Sequence, residues 1–197
     1  MSEYKNIAIL GGSFDPIHKG HIHIATISKS IMEFDKLIML PCKKSPHKDN
    51  ETIANDYQRI EMISLATAEH SWIEISDWEL NRDSPSFSIL AANHFKTIYP
   101  ESNLYWIIGN DQWKKIESWH KIHELSNVVE FIVFTRDQEK PLVNHEIKSH
   151  FIDFNFNASS TEIRQDLKNR KQSISAIHND VYKYIICLLY TSDAADE

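Results

Sequence analysis

The chain has 197 residues, 42% of them hydrophobic and 11% aromatic, which is enough to bury the core of one domain and excludes a disordered or fibrous protein. A net charge of −7 excludes broad electrostatic capture of nucleic acid or of an anionic membrane, so neither is expected as a partner, and positive groups for any anionic ligand must be gathered locally. Cys42 and Cys187 stand far apart and outside any CxxC pair, which suggests neither a disulfide framework nor a cysteine zinc site and fits a reducing cytoplasm.

Asn6 to Leu10 is a nearly continuous apolar run ended by Gly11-Gly12, the pattern of a strand buried on both faces of a parallel sheet. A helix is expected next, with Ile24, Ile27, Ile31 and Phe34 forming one apolar stripe at spacings of three and four. Lys36 to Leu40 reads as a second buried strand closed by Pro41, and residues 43–55 as an irregular loop able to act as a flap. Tyr57 to Ala68 reads as a helix, Trp72 to Ile75 as a short strand, and Phe87 to Ile98 as a helix entered through Ser84-Pro85-Ser86. Leu104 to Ile108, ended by Gly109, and Val128 to Phe134 read as central strands, Phe151 to Phe154 as a weaker one, and Ser160 to Leu167 as a helix. The acidic stretch Thr191 to Glu197 is expected to be disordered and foreign to the natural protein, so that the domain spans residues 1–190. No signal peptide is expected at the N-terminus, and no run approaches the about 20 apolar residues of a membrane helix.

Strands alternating with helices imply right-handed βαβ crossovers, and so an α/β fold: a single Rossmann-like open parallel sheet with helices on both faces. Ligands of such sheets bind at the carboxyl ends of the strands near the switch in strand order, which directs attention to the strands ending at Gly11-Gly12 and at Gly109.

The segment Gly11-Gly12-Ser13-Phe14-Asp15-Pro16-Ile17-His18-Lys19-Gly20-His21 lies between the first strand and the first helix. Its glycines let backbone approach a ligand, and the helix start offers unpaired N–H groups and a positive dipole end. His18 and His21, one turn apart, can face one ligand and hold phosphate oxygens while charge grows on a leaving pyrophosphate. Read blandly, the glycines make a turn and the histidines cap or pack. No P-loop, GxGxxG or GxSxG motif offers a rival chemistry.

This segment resembles the Gly-[ST]-Phe-Asp-Pro-x-His-x-Gly-His signature of the HxGH nucleotidyltransferases, and Ser159-Ser160-Thr161-Glu162-Ile163-Arg164 resembles the Ile-Ser-[SA]-Thr-x-Ile-Arg element of bacterial nicotinate-nucleotide adenylyltransferases, with Ala158 where Ile is usual. Further likenesses to that family are Arg82-Asp83-Ser84-Pro85-Ser86-Phe87-Ser88, Ile107-Ile108-Gly109-Asn110-Asp111, Trp119-His120 and Ser45-Pro46-His47-Lys48. Together they span residues 5 to about 190 in the family's order, and Tyr184-Ile185 with Leu189-Tyr190 echo its ending.

The resemblance implies a nucleotidyltransferase fold, with ATP held by Gly11, Gly12, Ser13, Phe14, His18, His21, Arg136, Ser159, Ser160 and Arg164. His18, His21 and Arg164 would carry catalysis. Nicotinate mononucleotide, the acceptor, would meet His47, Lys48, Ser88, Asp111 and Trp119, the indole stacking on the pyridine ring. In-line attack of the acceptor phosphate on the α-phosphorus of ATP would release pyrophosphate, with no general base or covalent intermediate required. Mg²⁺ would be carried by phosphate and water, with no protein ligand for it. Plainer roles stand beside these: Trp119 as core, Asp111 as a helix cap, Ser159 to Arg164 as a solvated capping sequence, residues 45–48 as a charged loop, and Arg136 as a surface side chain. Phosphopantetheine adenylyltransferase shares the first motif but usually carries Thr at the position of His18. A nucleotide sensor without turnover and a zinc module built on His18, His21 and His23 are the alternatives of other classes, and a homo-oligomer is compatible with the sequence.

Overall fold

The computed structural model describes residues 4–44, 52–83, 85–135, 143–154, 156, 158–171 and 173–193. Six strands, β1 (Asn6–Gly12), β2 (Lys36–Pro41), β3 (Ile73–Ile75), β4 (Asn103–Gly109), β5 (Val129–Thr135) and β6 (Ser149–Asp153), form one sheet in the order β3-β2-β1-β4-β5-β6. Every pairing is parallel. The α/β reading is therefore correct, and the order reverses between β1 and β4, the two strands that end in glycine.

Alternation along each strand divides the core in two. Ile7, Ile9, Trp106, Ile108, Phe131 and Val133 face one layer, made by α3 (Ser88–Ile98), the short helices α4 (Asn110–Trp113) and α5 (Ile122–Ser126), and the turn between them. Ala8, Leu10, Leu37, Met39, Ile107 and Ile132 face the other, made by α1 (Lys19–Met32), α2 (Asp56–Thr67), α6 (Ser160–Lys168) and α7 (Asn179–Asp193). Both faces of the central strands are thus apolar, which is why they read as unbroken runs.

Helix starts follow local chemistry. Asn55 and Gln58 form a reciprocal capping box on α2, each side chain accepting the other's backbone N–H at 2.9 Å. Ser159 caps α6 by accepting the Glu162 N–H at 3.1 Å.

Three expectations need correction. Of the expected α1 stripe, Ile24 and Ile27 pack half-buried against the core and Phe34 is buried, but Ile31 is 56% exposed, and the fully buried line of the helix is Gly20, Ala25 and Ser28. Small residues let the helix backbone approach the layer beneath, so the larger side chains lie along the edges of the contact. Helix α3 begins at Ser88 rather than Phe87, and Phe87, its extended cap residue, has no side-chain oxygen with which to accept a helix N–H. Finally, α7 runs to Asp193, so the boundary expected at residue 190 falls inside a helix, while residues 194–197 lie outside the described residues.

Candidate active site

Beyond β1 the chain turns through Phe14, whose φ of 49° places it in the left-handed region, and enters α1 at His18, an extended cap residue with φ −141° and ψ 167°. The Phe14 ring is buried and meets the His21 ring edge-on at 5.1 Å, so its side chain buttresses the site from within the core. His18 and His21 stack on each other, ring centroids 3.8 Å apart. The His18 backbone N–H donates to Nδ1 of His21 at 3.2 Å. Neutral His21 must then carry its proton on Nε2, as a donor on the ring's other side.

Gly20 makes room for this pair. A Cβ there would stand 2.9 Å from Nδ1 of His18 and 3.1 Å from the Phe156 ring, closer than side-chain carbons pack. The His-x-Gly-His spacing is thus a packing requirement as well as a chemical one. The Lys19 amide, one of the N–H groups expected to face an anion, donates instead to the Ala176 carbonyl at 2.8 Å.

The start of α6 closes on this loop from the other end of the chain. Ser160 Oγ donates to the Pro16 carbonyl at 3.0 Å, Arg164 Nη1 to the Asp15 carbonyl at 2.6 Å, and Arg164 Nη2 to Thr161 Oγ at 3.2 Å. Two helix N-termini, two imidazoles and a guanidinium therefore meet at residues 15–21, an assembly that favours a polyanion. His23 stands apart, with its ring edge-on to Phe156 at 4.6 Å. Among the described residues no group of three or more His, Cys, Asp or Glu side chains could hold a metal ion, which counts against the zinc module.

The loop is fixed by Asp15 of the motif and by Arg59, which had no motif role in the sequence reading. Arg59 of α2 is wholly buried and donates through Nη1 to the carbonyls of Ser13 and Cys42, each at 2.8 Å, and through Nη2 to Asp56 at 2.7 Å. The Asp15 carboxylate accepts the backbone N–H groups of Ile53 at 2.8 Å and Ala54 at 3.1 Å. Together they bind the end of β1, the end of β2 and the start of α2 into one body. The only sequence signal is an Asp and an Arg three residues apart just inside a capped helix start.

The residues expected at the acceptor come from three connections on the opposite layer. Ser88 is half-buried at the first turn of α3. Asp111 is exposed just beyond β4, its carboxylate folded back over Gly109 so that a Cβ there would meet Oδ1 at 2.6 Å. Trp119 is only 8% exposed and lies in the core, edge-on to Phe131 at 6.3 Å, so in this structure its ring is covered. The exposed ring of that connection is His120, stacked on Phe87 at 4.2 Å. His47, Lys48 and Arg136 lie outside the described residues, as does most of the 43–55 loop.

The connection from β3 to α3 contains a group that the sequence did not single out. Glu79 is 6% exposed, and burial pushes its carboxyl up to about 7, against the opposing pull of the Ser86 hydroxyl and the Arg82 charge. Beside it Trp78 is sandwiched, with the Arg82 guanidinium 4.5 Å from its ring and His94 of α3 stacked at 4.4 Å.

Residues 9–166 match the model of the cytidylyltransferase-like family. The chain is 36% identical over 184 residues to a probable nicotinate-nucleotide adenylyltransferase of Methylacidiphilum infernorum (isolate V4), covering 91% of this chain and 88% of the relative. It is 33% identical over 193 residues to a probable nicotinate-nucleotide adenylyltransferase of Clostridium botulinum (strain Okra / Type B1), covering 92% and 96%. Its fold is similar to that of the Plasmodium falciparum nicotinic acid mononucleotide adenylyltransferase complexed with NaAD, at a TM-score of 0.74, 22% identity and coverage of 93% and 96%.

Proposed function

Because the chain belongs to the cytidylyltransferase-like family, and within it to the nicotinate-nucleotide adenylyltransferases, we propose that it transfers AMP from ATP to nicotinate mononucleotide, giving nicotinate adenine dinucleotide and pyrophosphate in NAD biosynthesis. The observation that carries this reading is the stacked His18–His21 pair at the start of α1, closed over by Ser160 and Arg164 of α6.

The acceptor phosphate is already an anion at neutral pH, so the chain needs to place it in line with the α-phosphorus and neutralise the charge that develops. Nε2–H of His21, fixed as a donor by the His18 amide, and the His18 imidazole stabilise the α/β region of the triphosphate. Arg164 and the α6 start hold the departing pyrophosphate, the guanidinium exchanging its bond to the Asp15 carbonyl for phosphate oxygens. Gly11, Gly12, Ser13 and Phe14 shape the floor of this site, and Arg136 flanks the base. Ser88, Asp111 and Trp119, with His47 and Lys48 of the loop after β2, receive the acceptor. Trp119 reaches the pyridine ring only by turning out of its contact with Phe131. Mg²⁺ would be carried by the triphosphate and water, where it would shield the phosphate charge. No described helix is long and apolar enough to cross a membrane, and we place the enzyme in the cytoplasm.

Pyrophosphate release from Mg-ATP, with nicotinate mononucleotide, nicotinamide mononucleotide or phosphopantetheine as acceptor, tests the reading. Turnover is expected with nicotinate mononucleotide, and His18→Ala is expected to lower kcat about 10²- to 10³-fold, the scale of removing one donor to developing charge. Release with phosphopantetheine alone would overturn the acceptor, and no release with any would favour a nucleotide sensor.

A further inference from the structure

The connection from β2 to α2 is anchored at both of its ends on the loop that follows β1. At its start, the Cys42 backbone N–H donates to the Gly12 carbonyl at 2.9 Å, and Arg59 bridges the Ser13 and Cys42 carbonyls. At its end, the Asp15 carboxylate accepts two successive backbone N–H groups, Ile53 on Oδ2 at 2.8 Å and Ala54 on Oδ1 at 3.1 Å. Those amides stand just ahead of the Asn55 cap, where the positive end of α2 also favours an anion. In sequence, His47 and Lys48, expected at the acceptor, fall between the two anchors. The Lys44 carbonyl of the same connection accepts the Ser86 backbone N–H at 3.4 Å, two residues ahead of Ser88. The phosphate chemistry gives the buried Asp15 side chain no task of its own, since each of its oxygens is taken by an amide ahead of α2.

We propose that Asp15 is a positioning residue for the acceptor: its carboxylate fixes the entry into α2, and so the end of the connection that carries His47 and Lys48, against the loop that holds ATP. The assignment rests on the adenylyltransferase reading above. One residue here joins the two sides of the reaction, because the Asp15 carbonyl accepts Arg164 Nη1 at 2.6 Å while its carboxylate accepts the amides ahead of α2. When Arg164 moves to the pyrophosphate oxygens, the side-chain bonds are the ones that keep residue 15 and the α2 entry together. A pair of charge-assisted bonds to adjacent amides sets direction as well as distance. An asparagine at this position would keep one bond and turn an N–H toward the other amide, so shape alone does not preserve the link.

The test compares wild type with Asp15→Asn in steady-state kinetics. KM for nicotinate mononucleotide should rise about fivefold, with KM for ATP and kcat within about twofold. The ATP side is spared because Arg59 and Ser160 still hold the loop at the Ser13 and Pro16 carbonyls. Amide exchange without substrate should be about tenfold faster at Ile53 and Ala54 in the variant. A second variant, Ile53→Pro, reaches the same link from its other end: it removes one donor, leaves the carboxylate in place and changes a side chain that is 70% exposed. It should raise the acceptor KM about threefold. Equal rises in both KM values, or a loss of kcat alone, would show a general slackening of the loop and overturn the assignment. An unchanged acceptor KM in Ile53→Pro overturns it as well, and this variant decides alone should Asp15→Asn fail to fold. If wild type itself shows no turnover with this acceptor, the functional reading fails, and the exchange comparison decides whether Asp15 fixes the α2 entry.

Discussion

Around residues 11–21 and 159–164 the chain is fixed by directional bonds to backbone carbonyls, with Arg59 reaching Ser13 and Cys42 and with Arg164 reaching Asp15. Around residues 77–88 and 119–120 it is held by stacked rings and one buried carboxyl. The first arrangement fixes position closely, as a site must when stabilisation depends on where charge develops. The second fixes planes and leaves sliding along them, which suits a flat ligand. It also contains Glu79, whose carboxyl burial pushes up to about 7, so pH should act there, whereas truncation of a single side chain should do most harm on the phosphate side.

The largest effect that would expose this contrast is expected from Arg59→Met. It removes three hydrogen bonds of a wholly buried guanidinium and should cost about 3–5 kcal/mol in urea unfolding. A loss under about 1 kcal/mol would show that the loop stands without its strut. Glu79→Gln should do the reverse on the acceptor side. The folded chain binds the Glu79 proton more tightly than the unfolded chain, so the cost of burial is absent below the ordinary glutamate value of 4.5, grows as pH rises and is complete above about 7. The variant should therefore be more stable than wild type at pH 8 by no more than about 3 kcal/mol and by less than about 1 kcal/mol at pH 5. An advantage as large at pH 5 as at pH 8 would mean that charge is not its cause.

Gly20→Ala forces a methyl against His18 and Phe156 and should cost about 1–3 kcal/mol, with kcat falling further than stability alone explains, because the His18 ring must move. Unchanged kinetics would separate the packing role of this glycine from its place beside the histidines. The smallest effect is expected from Ser159→Ala, which loses the cap of α6 and should lower stability by about 1 kcal/mol in thermal unfolding. Because the same start carries Ser160 and Arg164, KM for ATP should rise as well.

Much of the scaffold could be read in advance. The four-residue α4 and five-residue α5 are too short to display a helical period, and α3 starts one residue late, with Phe87 as its extended cap residue. Helix α7 did carry a signal, in the spacing of Val181, Tyr184, Ile185 and Leu188, but its acidic ending reads as a tail. Trp119 had two readings, stacking platform or core, and its placement against Phe131 follows from β5 rising beneath it, which no local pattern announces.

By itself the sequence determined the alternation of strands and helices, the glycine ends of β1 and β4, and the motif residues His18, Gly20, His21, Ser160 and Arg164 that we propose meet phosphate. The first two rest on period and turn chemistry within a few residues, the last on the resemblance of its motifs to a known family. The tertiary structure alone decided that β1 and β4 are neighbours, that α1 packs on its small residues, and that Arg59 and Glu79 are buried. A charged side chain can be buried only where partners compensate it. The Ser13 and Cys42 carbonyls reach Arg59 from 46 and 17 residues away, so it is the packing of the sheet and its layers that puts the charge and its partners in the same place.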